Sequence, residues 1–217
     1  MKAVIFDLDG VITDTAHYHY IAWKNLANTL DIEVDLAFNE QLKGISRMES
    51  LERILEKGGR TTAFTSAEKM DLATKKNDEY IQLLENVDKK DVLPGILDLL
   101  KELKENNIKV AIASASKNAP MILEKLGVMT YIDAIADPEA VKSGKPAPDI
   151  FLEAARLIDV QPFEAIGVED ATAGVTAILA AGMKAVAVGT SPEIICSGAN
   201  LIVPTTNGVT LTNLQKL

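Results

Sequence analysis

The sequence holds a single cysteine, Cys196, so no internal disulfide can form, and the residue reads as a small side chain in a reducing compartment. No apolar run reaches membrane-spanning length, and no leader pattern precedes Met1-Lys2-Ala3-Val4. Both absences point to a soluble protein of the cytoplasm. Positive charge is scarce: 22 Lys and Arg against 31 Asp and Glu leave a formal net charge of −9. That balance argues against general affinity for nucleic acid or an anionic membrane, and it obliges any anionic substrate to find local positive charge. Low-complexity tracts and internal repeats are missing too, so function must lie in discrete sites.

What is present suits an enzyme with one core and an accessory lobe. The 217 residues are 47% hydrophobic, enough to bury a core without disulfides or a structural metal. Six short apolar runs ended by small or polar residues are expected as buried strands: Val4-Ile5-Phe6, Ile108 to Ala113, Ile132 to Ala136, Ala165 to Val168, Ala185 to Val188 and Leu201 to Val203. Helical patterns at Ile96 to Lys104, Pro120 to Leu126, Ile150 to Ile158 and Ala173 to Ala181 separate most of them. The alternation predicts an α/β fold, a Rossmann-like parallel sheet with right-handed connections and helices on both faces. Between Asp14 and Asp88 the strands stop. Helical stretches near His17 to Leu30, Asn39 to Lys57 and Ser66 to Leu84 read as an inserted α-helical cap. The expected division is a core of residues 1–14 and 88–217 and a cap of 15–87. Two connections make a hinge, and a closing lid would exclude water.

Chemistry concentrates where the strands end. Phe6-Asp7-Leu8-Asp9-Gly10 sends two carboxylates out at the carboxyl end of the first strand, the usual ligand crevice of an open parallel sheet. Asp7 can accept a phosphoryl group, and Asp9 can shuttle a proton from the same side. An Asx turn would also account for the pattern. Ser114-Ala115-Ser116-Lys117-Asn118 precedes a helix and can cradle an anion, or can simply cap it. Lys145, in Gly144-Lys145-Pro146, is aimed by restricted backbone and can neutralise an acyl phosphate; most lysines are only solvated surface. Glu169-Asp170 adds two carboxylates that would repel Asp7 and Asp9 unless a hard cation such as Mg²⁺ sat among them, although Asp170 could instead cap a helix.

The order Asp7-x-Asp9, Ser114, Lys145, Glu169-Asp170 resembles the haloacid dehalogenase superfamily of phosphotransferases along almost the whole chain. The stretches 6–15, Leu42-Lys43-Gly44-Ile45-Ser46-Arg47 and 113–118 narrow the resemblance to its glucose-phosphate mutases. The resemblance implies exchange of β-D-glucose 1-phosphate with glucose 6-phosphate through a 1,6-bisphosphate. Asp7 would be the nucleophile and Asp9 the general acid and base. Mg²⁺ would bind the Asp7 carboxylate, the Asp9 carbonyl and Asp170, with Glu169 ligating or supporting its hydration shell. Ser114, the Ala115 N–H and Lys145 would hold the transferring group.

A mutase also needs a second anion site to grip the phosphate that is not reacting. Lys43, Gly44, Ile45, Ser46 and Arg47 would supply it from the cap, with Ser116, Lys117 and Asn118 from the core; without the family Arg47 reads as a solvated helix-end charge. Thr15, His19 and Trp23 share one face of the first cap helix, and periodicity alone makes them a core stripe. The resemblance instead places His19 at a hinge-side contact with Asp9 and Lys76. It gives Trp23 the sugar, Thr15 the steering of Asp9, and Ser50 and Lys76 further cap contacts. Ala171 departs from the family, where Ser is common, and implies a modest change in metal affinity. The expected partners are sugar phosphates alone, and a closing cap fits a monomer. The alternatives are a sugar-phosphate or phosphoglycolate-type phosphatase of the same fold and a non-catalytic phosphoacceptor.

Overall fold

Six parallel strands, β1 (Ala3–Phe6), β2 (Lys109–Ile112), β3 (Ala134–Ile135), β4 (Ala165–Glu169), β5 (Lys184–Val188) and β6 (Leu201–Val203), form one sheet in the order β3-β2-β1-β4-β5-β6. The computed structural model describes all 217 residues. They separate into two units, Met1–Asp14 with Val87–Leu217, and Thr15–Asn86.

In the first unit β1 is buried along its whole length, as a central parallel strand must be when helices cover both faces. Helices α7 (Asp149–Leu157) and α8 (Thr172–Ala180) bury Phe151, Ala154, Val175 and Ile178 in a cluster with Ile5, Ala111 and Ala187. Helices α5 (Ile96–Glu105) and α6 (Ala119–Leu126) bury their own apolar stripes, Leu99, Leu100 and Leu103 on the former and Ile122, Leu123 and Leu126 on the latter. Two short helices, α9 (Pro192–Ile195) and α10 (Leu211–Leu214), complete the unit. The expected strand Ile132 to Ala136 pairs as a strand only at Ala134 and Ile135, because it is an edge with a single neighbour. Strand β4 runs one residue further than expected, so that Glu169 itself lies in the ladder opposite Ala187.

The second unit is helical: α1 (Ala16–Thr29), α2 (Leu36–Glu40), α3 (Arg47–Lys57) and α4 (Ser66–Leu83). Trp23, Leu26, Ile32, Leu51, Ile54, Leu55 and Ala73 form its core. The continuous helix expected from Asn39 to Lys57 is broken at residues 41–46. Gly44 has φ +72°, outside the right-handed helix, and Ser46 is extended. The Ser46 hydroxyl then accepts the Glu49 N–H at 3.2 Å and starts α3 afresh. A capping box between Thr65 and Glu68 starts α4 in the same manner.

Candidate active site

The register of the sheet fixes what stands beside Asp7. Phe6 pairs with Ile112 on one side and Val168 on the other. The next residues along, Asp7, Ala113 and Glu169, therefore share one level at the carboxyl edge. The Asp7 N–H donates to the Val168 carbonyl at 2.9 Å and the Ala113 N–H to the Phe6 carbonyl at 2.8 Å, so the ladder carries Asp7 to the last supported position before the chain turns. The turn is made by Gly10, at φ +72°, whose N–H donates to the Thr13 carbonyl at 2.7 Å. A β-carbon there would lie 2.0 Å from Asp170 Oδ2, and one on Gly174 would lie 1.8 Å from Glu169 Oε2. Both glycines are moulded around carboxylates.

Lys145 Nζ donates to Asp7 Oδ1 at 2.9 Å and to Glu169 Oε2 at 2.6 Å, and all three side chains are buried. Burial alone would lower the pKa of the Lys145 ammonium, but the Asp7 and Glu169 charges and hydrogen bonds outweigh it and hold Lys145 protonated above its ordinary range. Glu169 is raised to about 7, first by burial and then by the Asp7 charge, with Lys145 opposing both. Its other oxygen, Oε1, accepts the Asp170 and Ala171 N–H groups at 3.2 and 3.1 Å. Each Glu169 oxygen is thus already engaged, which favours support of a metal's surroundings over direct ligation.

Oxygens of Asp7, Glu169 and Asp170 lie within 4.8 Å of one another. One ammonium against three carboxylates leaves an excess of negative charge in a largely buried pocket, and a hard, oxygen-seeking divalent cation fits that deficit. Asp9, two residues beyond Asp7, is bridged to Thr13, with the Gly10 N–H donating to the Thr13 carbonyl and the Thr13 N–H to the Leu8 carbonyl. Ser114 is buried beyond the end of β2, and its Oγ accepts the Ser116 N–H at 3.1 Å; the Ser116 Oγ in turn accepts the Asn118 N–H at 3.2 Å. These two turns shape the segment around Ala115 ahead of α6 and leave each hydroxyl hydrogen able to donate to an anion. Lys117 is exposed and paired with Glu139.

The second unit assembles its own polar cluster. Lys76, not the exposed Lys75, is buried, and its ammonium donates to His19 Nδ1 at 2.5 Å. It also lies 4.8 Å from the Trp23 ring centroid and 4.6 Å from that of Tyr80. Burial, then the charges of Lys76 and Arg47, hold His19 well below its ordinary value of 6.5. The neutral ring accepts at Nδ1 and keeps its proton on Nε2. Arg47 opens α3 and donates to Asn77 Oδ1 at 2.7 Å. Lys43 pairs with Glu40 at 2.8 Å. Ser50 donates to the Ser46 carbonyl at 3.1 Å, and Ile45 and Trp23 lie in the unit's apolar core. Sequence reasoning missed Tyr80 and Asn77. They sit four and one residues after Lys76 on α4, where an aromatic reads as packing and an amide as surface.

A titration follows from His19. A histidine held neutral by the fold contributes stability that is complete above pH 6.5 and declines as pH falls below it, because the unfolded chain binds the proton first. Amide exchange of the second unit measured from pH 8 to pH 5 is expected to show faster opening at the acid end. His19→Gln flattens that slope; an equal slope in the variant would assign it to other groups.

The family model for haloacid dehalogenase-like hydrolases matches residues 1–182, and the chain belongs to that family. It is 51% identical over 216 residues to a β-phosphoglucomutase of Bacillus subtilis (strain 168), covering 100% of this chain and 95% of the relative. The crystal structure of β-phosphoglucomutase from Clostridium difficile superposes with a TM-score of 0.96 at 49% identity, over 100% of this chain and 96% of that one. A fructose-1-phosphate phosphatase of Escherichia coli (strain K12) is 32% identical, over 84% of this chain and 94% of its own length.

Proposed function

We infer that the protein is a β-phosphoglucomutase, an isomerase that interconverts β-D-glucose 1-phosphate and glucose 6-phosphate through an aspartyl-phosphate enzyme and β-glucose 1,6-bisphosphate. The observation that carries the phosphotransfer is a buried carboxylate at the end of the central strand, with a lysine ammonium bridging it to Glu169. In the first half-reaction an Asp7 oxygen attacks phosphorus of the bisphosphate. The P–O bond to the sugar breaks, and Asp9 gives its proton to the departing oxygen. In the second half Asp9 takes the proton from a hydroxyl of the incoming sugar monophosphate, whose oxygen attacks phosphorus and returns Asp7 to a carboxylate. Lys145, Ser114 and the Ala115 N–H hold the charge on the transferring group throughout.

Mg²⁺ would be held by the Asp7 and Asp170 carboxylates and the Asp9 carbonyl, with Glu169 beside them, and when bound it supplies charge neutralisation at the phosphoryl oxygens. The phosphate that is not reacting is assigned to Arg47, with Lys43, Gly44, Ile45, Ser46, Ser116, Lys117 and Asn118. Thr15, His19, Trp23, Ser50 and Lys76 are assigned to the sugar and to control of Asp9. A lid role for residues 15–86 is part of this proposal, as are a monomeric state and a cytoplasmic location, which suit an enzyme of phosphorylated sugars.

The test is one tube containing protein, Mg²⁺, β-D-glucose 1-phosphate and a trace of the 1,6-bisphosphate, with glucose 6-phosphate and free phosphate followed separately. Glucose 6-phosphate with almost no free phosphate is expected. Free phosphate as the main product would move the protein to the phosphatases, a reading that its 32% identical phosphatase relative keeps in view.

A further inference from the structure

We propose that Tyr80 is a positioning residue that sets Thr15, His19 and Lys76 of the helical unit as one group. Its side chain is wholly buried on α4. The phenol oxygen lies 2.8 Å from Thr15 Oγ1, across 65 residues of sequence. The ring stacks on His19 with centroids 3.9 Å apart and planes 20° from parallel, and the Lys76 ammonium stands 4.6 Å from its centre. One side chain thus meets all three residues by three different interactions, a hydrogen bond, a stack and a cation–π contact.

Thr15 supplies an independent sign. It stands at the N-cap of α1, where a threonine ordinarily turns its hydroxyl onto the helix N–H groups, yet it makes no side-chain capping bond, and its backbone is not in the extended form that capping uses. Its hydroxyl is turned to Tyr80 instead. The chain forgoes a local stabilisation to tie the first residue of the unit to the far end of α4. Lys76 and Tyr80 are four residues apart and share a face of that helix, so the tie also fixes the height at which the ammonium meets His19 Nδ1.

This inference rests on the reading of Thr15, His19 and Lys76 as substrate-side residues. Tyr80→Phe removes only the hydroxyl and keeps the stack. It is expected to lower kcat roughly three- to tenfold, the scale of one buried hydrogen bond, with KM for β-D-glucose 1-phosphate within about twofold of wild type. Because Tyr80 acts through Thr15, the double variant Tyr80→Phe/Thr15→Val should be no slower than Thr15→Val alone. Nitrogen-detected spectra of the His19 ring should keep the Nε2–H tautomer in Tyr80→Phe and lose it in Tyr80→Leu. Wild-type kcat in Tyr80→Phe, or losses that simply multiply in the double variant, would overturn the proposal. If the wild-type protein releases mainly free phosphate, the mutase reading fails. The same cycle measured on that hydrolysis, together with the His19 spectrum, still decides the role of Tyr80.

Discussion

Asp9→Asn is expected to lower mutase turnover by about 10²- to 10⁴-fold, the usual worth of a general acid and base. Mg²⁺ binding should persist, since the carboxylates gathered around the pocket are those of Asp7, Glu169 and Asp170. Asparagine fills the same space and keeps hydrogen bonds, and the turn that holds it rests on backbone, with Gly10 bonded to Thr13 and Asp9 bridged to Thr13. What it loses is the proton. Steady-state kcat measured beside a calorimetric Mg²⁺ titration separates the two. Turnover near wild type would remove Asp9 from the chemistry, whereas lost Mg²⁺ binding would mean that the substitution had disturbed the turn.

Lys145→Met should cost both activity and stability. It leaves Asp7 and Glu169 side by side in a buried site without their shared ammonium, a loss of about 3–5 kcal/mol when one partner of a buried pair is removed. The sign of its pH dependence follows from Glu169, already raised to about 7 with the lysine in place. An acid raised by the fold is most stabilising when protonated and loses that contribution as pH rises through its folded value. The deficit of the variant is therefore smaller at pH 5.5 than at pH 8. Added Mg²⁺ should recover part of it, because a cation bound by the folded state alone stabilises that state. Urea unfolding at both pH values, with and without Mg²⁺, measures all three effects. A deficit equal at both pH values would show that the lysine is not the counter-charge of this pocket.

The strand ends were legible because a parallel strand covered on both faces needs an unbroken apolar run, and such a run ends visibly when it meets Asp7, Ser114 or Glu169. Edge strands lack that signal: Ile132 to Ala136 looked like its neighbours, yet only Ala134 and Ile135 stand in the ladder, with the Asp133 and Ala136 N–H groups bonded to β2 at its ends. The break at residues 41–46 was hidden for a different reason. Apolar residues on both sides continue a helical spacing, and the interruption is a backbone matter, Gly44 in the left-handed region followed by the Ser46 cap. Within the pocket, charge type and spacing pointed to Asp7, Lys145 and Glu169. The bridging of two carboxylates by one ammonium depends on the meeting of residues 138 positions apart. Tyr80 carried no signal, since a buried aromatic one turn from a lysine is ordinary packing until the ring and hydroxyl are both seen in use.

The strand order β2-β1-β4 has a consequence for synthesis. β1 leaves the ribosome about a hundred residues before β2, and β4 follows later still, so the central strand waits with both hydrogen-bonding edges open. Asp7 waits with it, and its counter-charge arrives only with Lys145. A nascent chain halted between β2 and β4 can pair one edge of β1 but offers the other, apolar on both faces, to any strand nearby. Ribosome-bound intermediates of that length are where a chaperone has the most to shield.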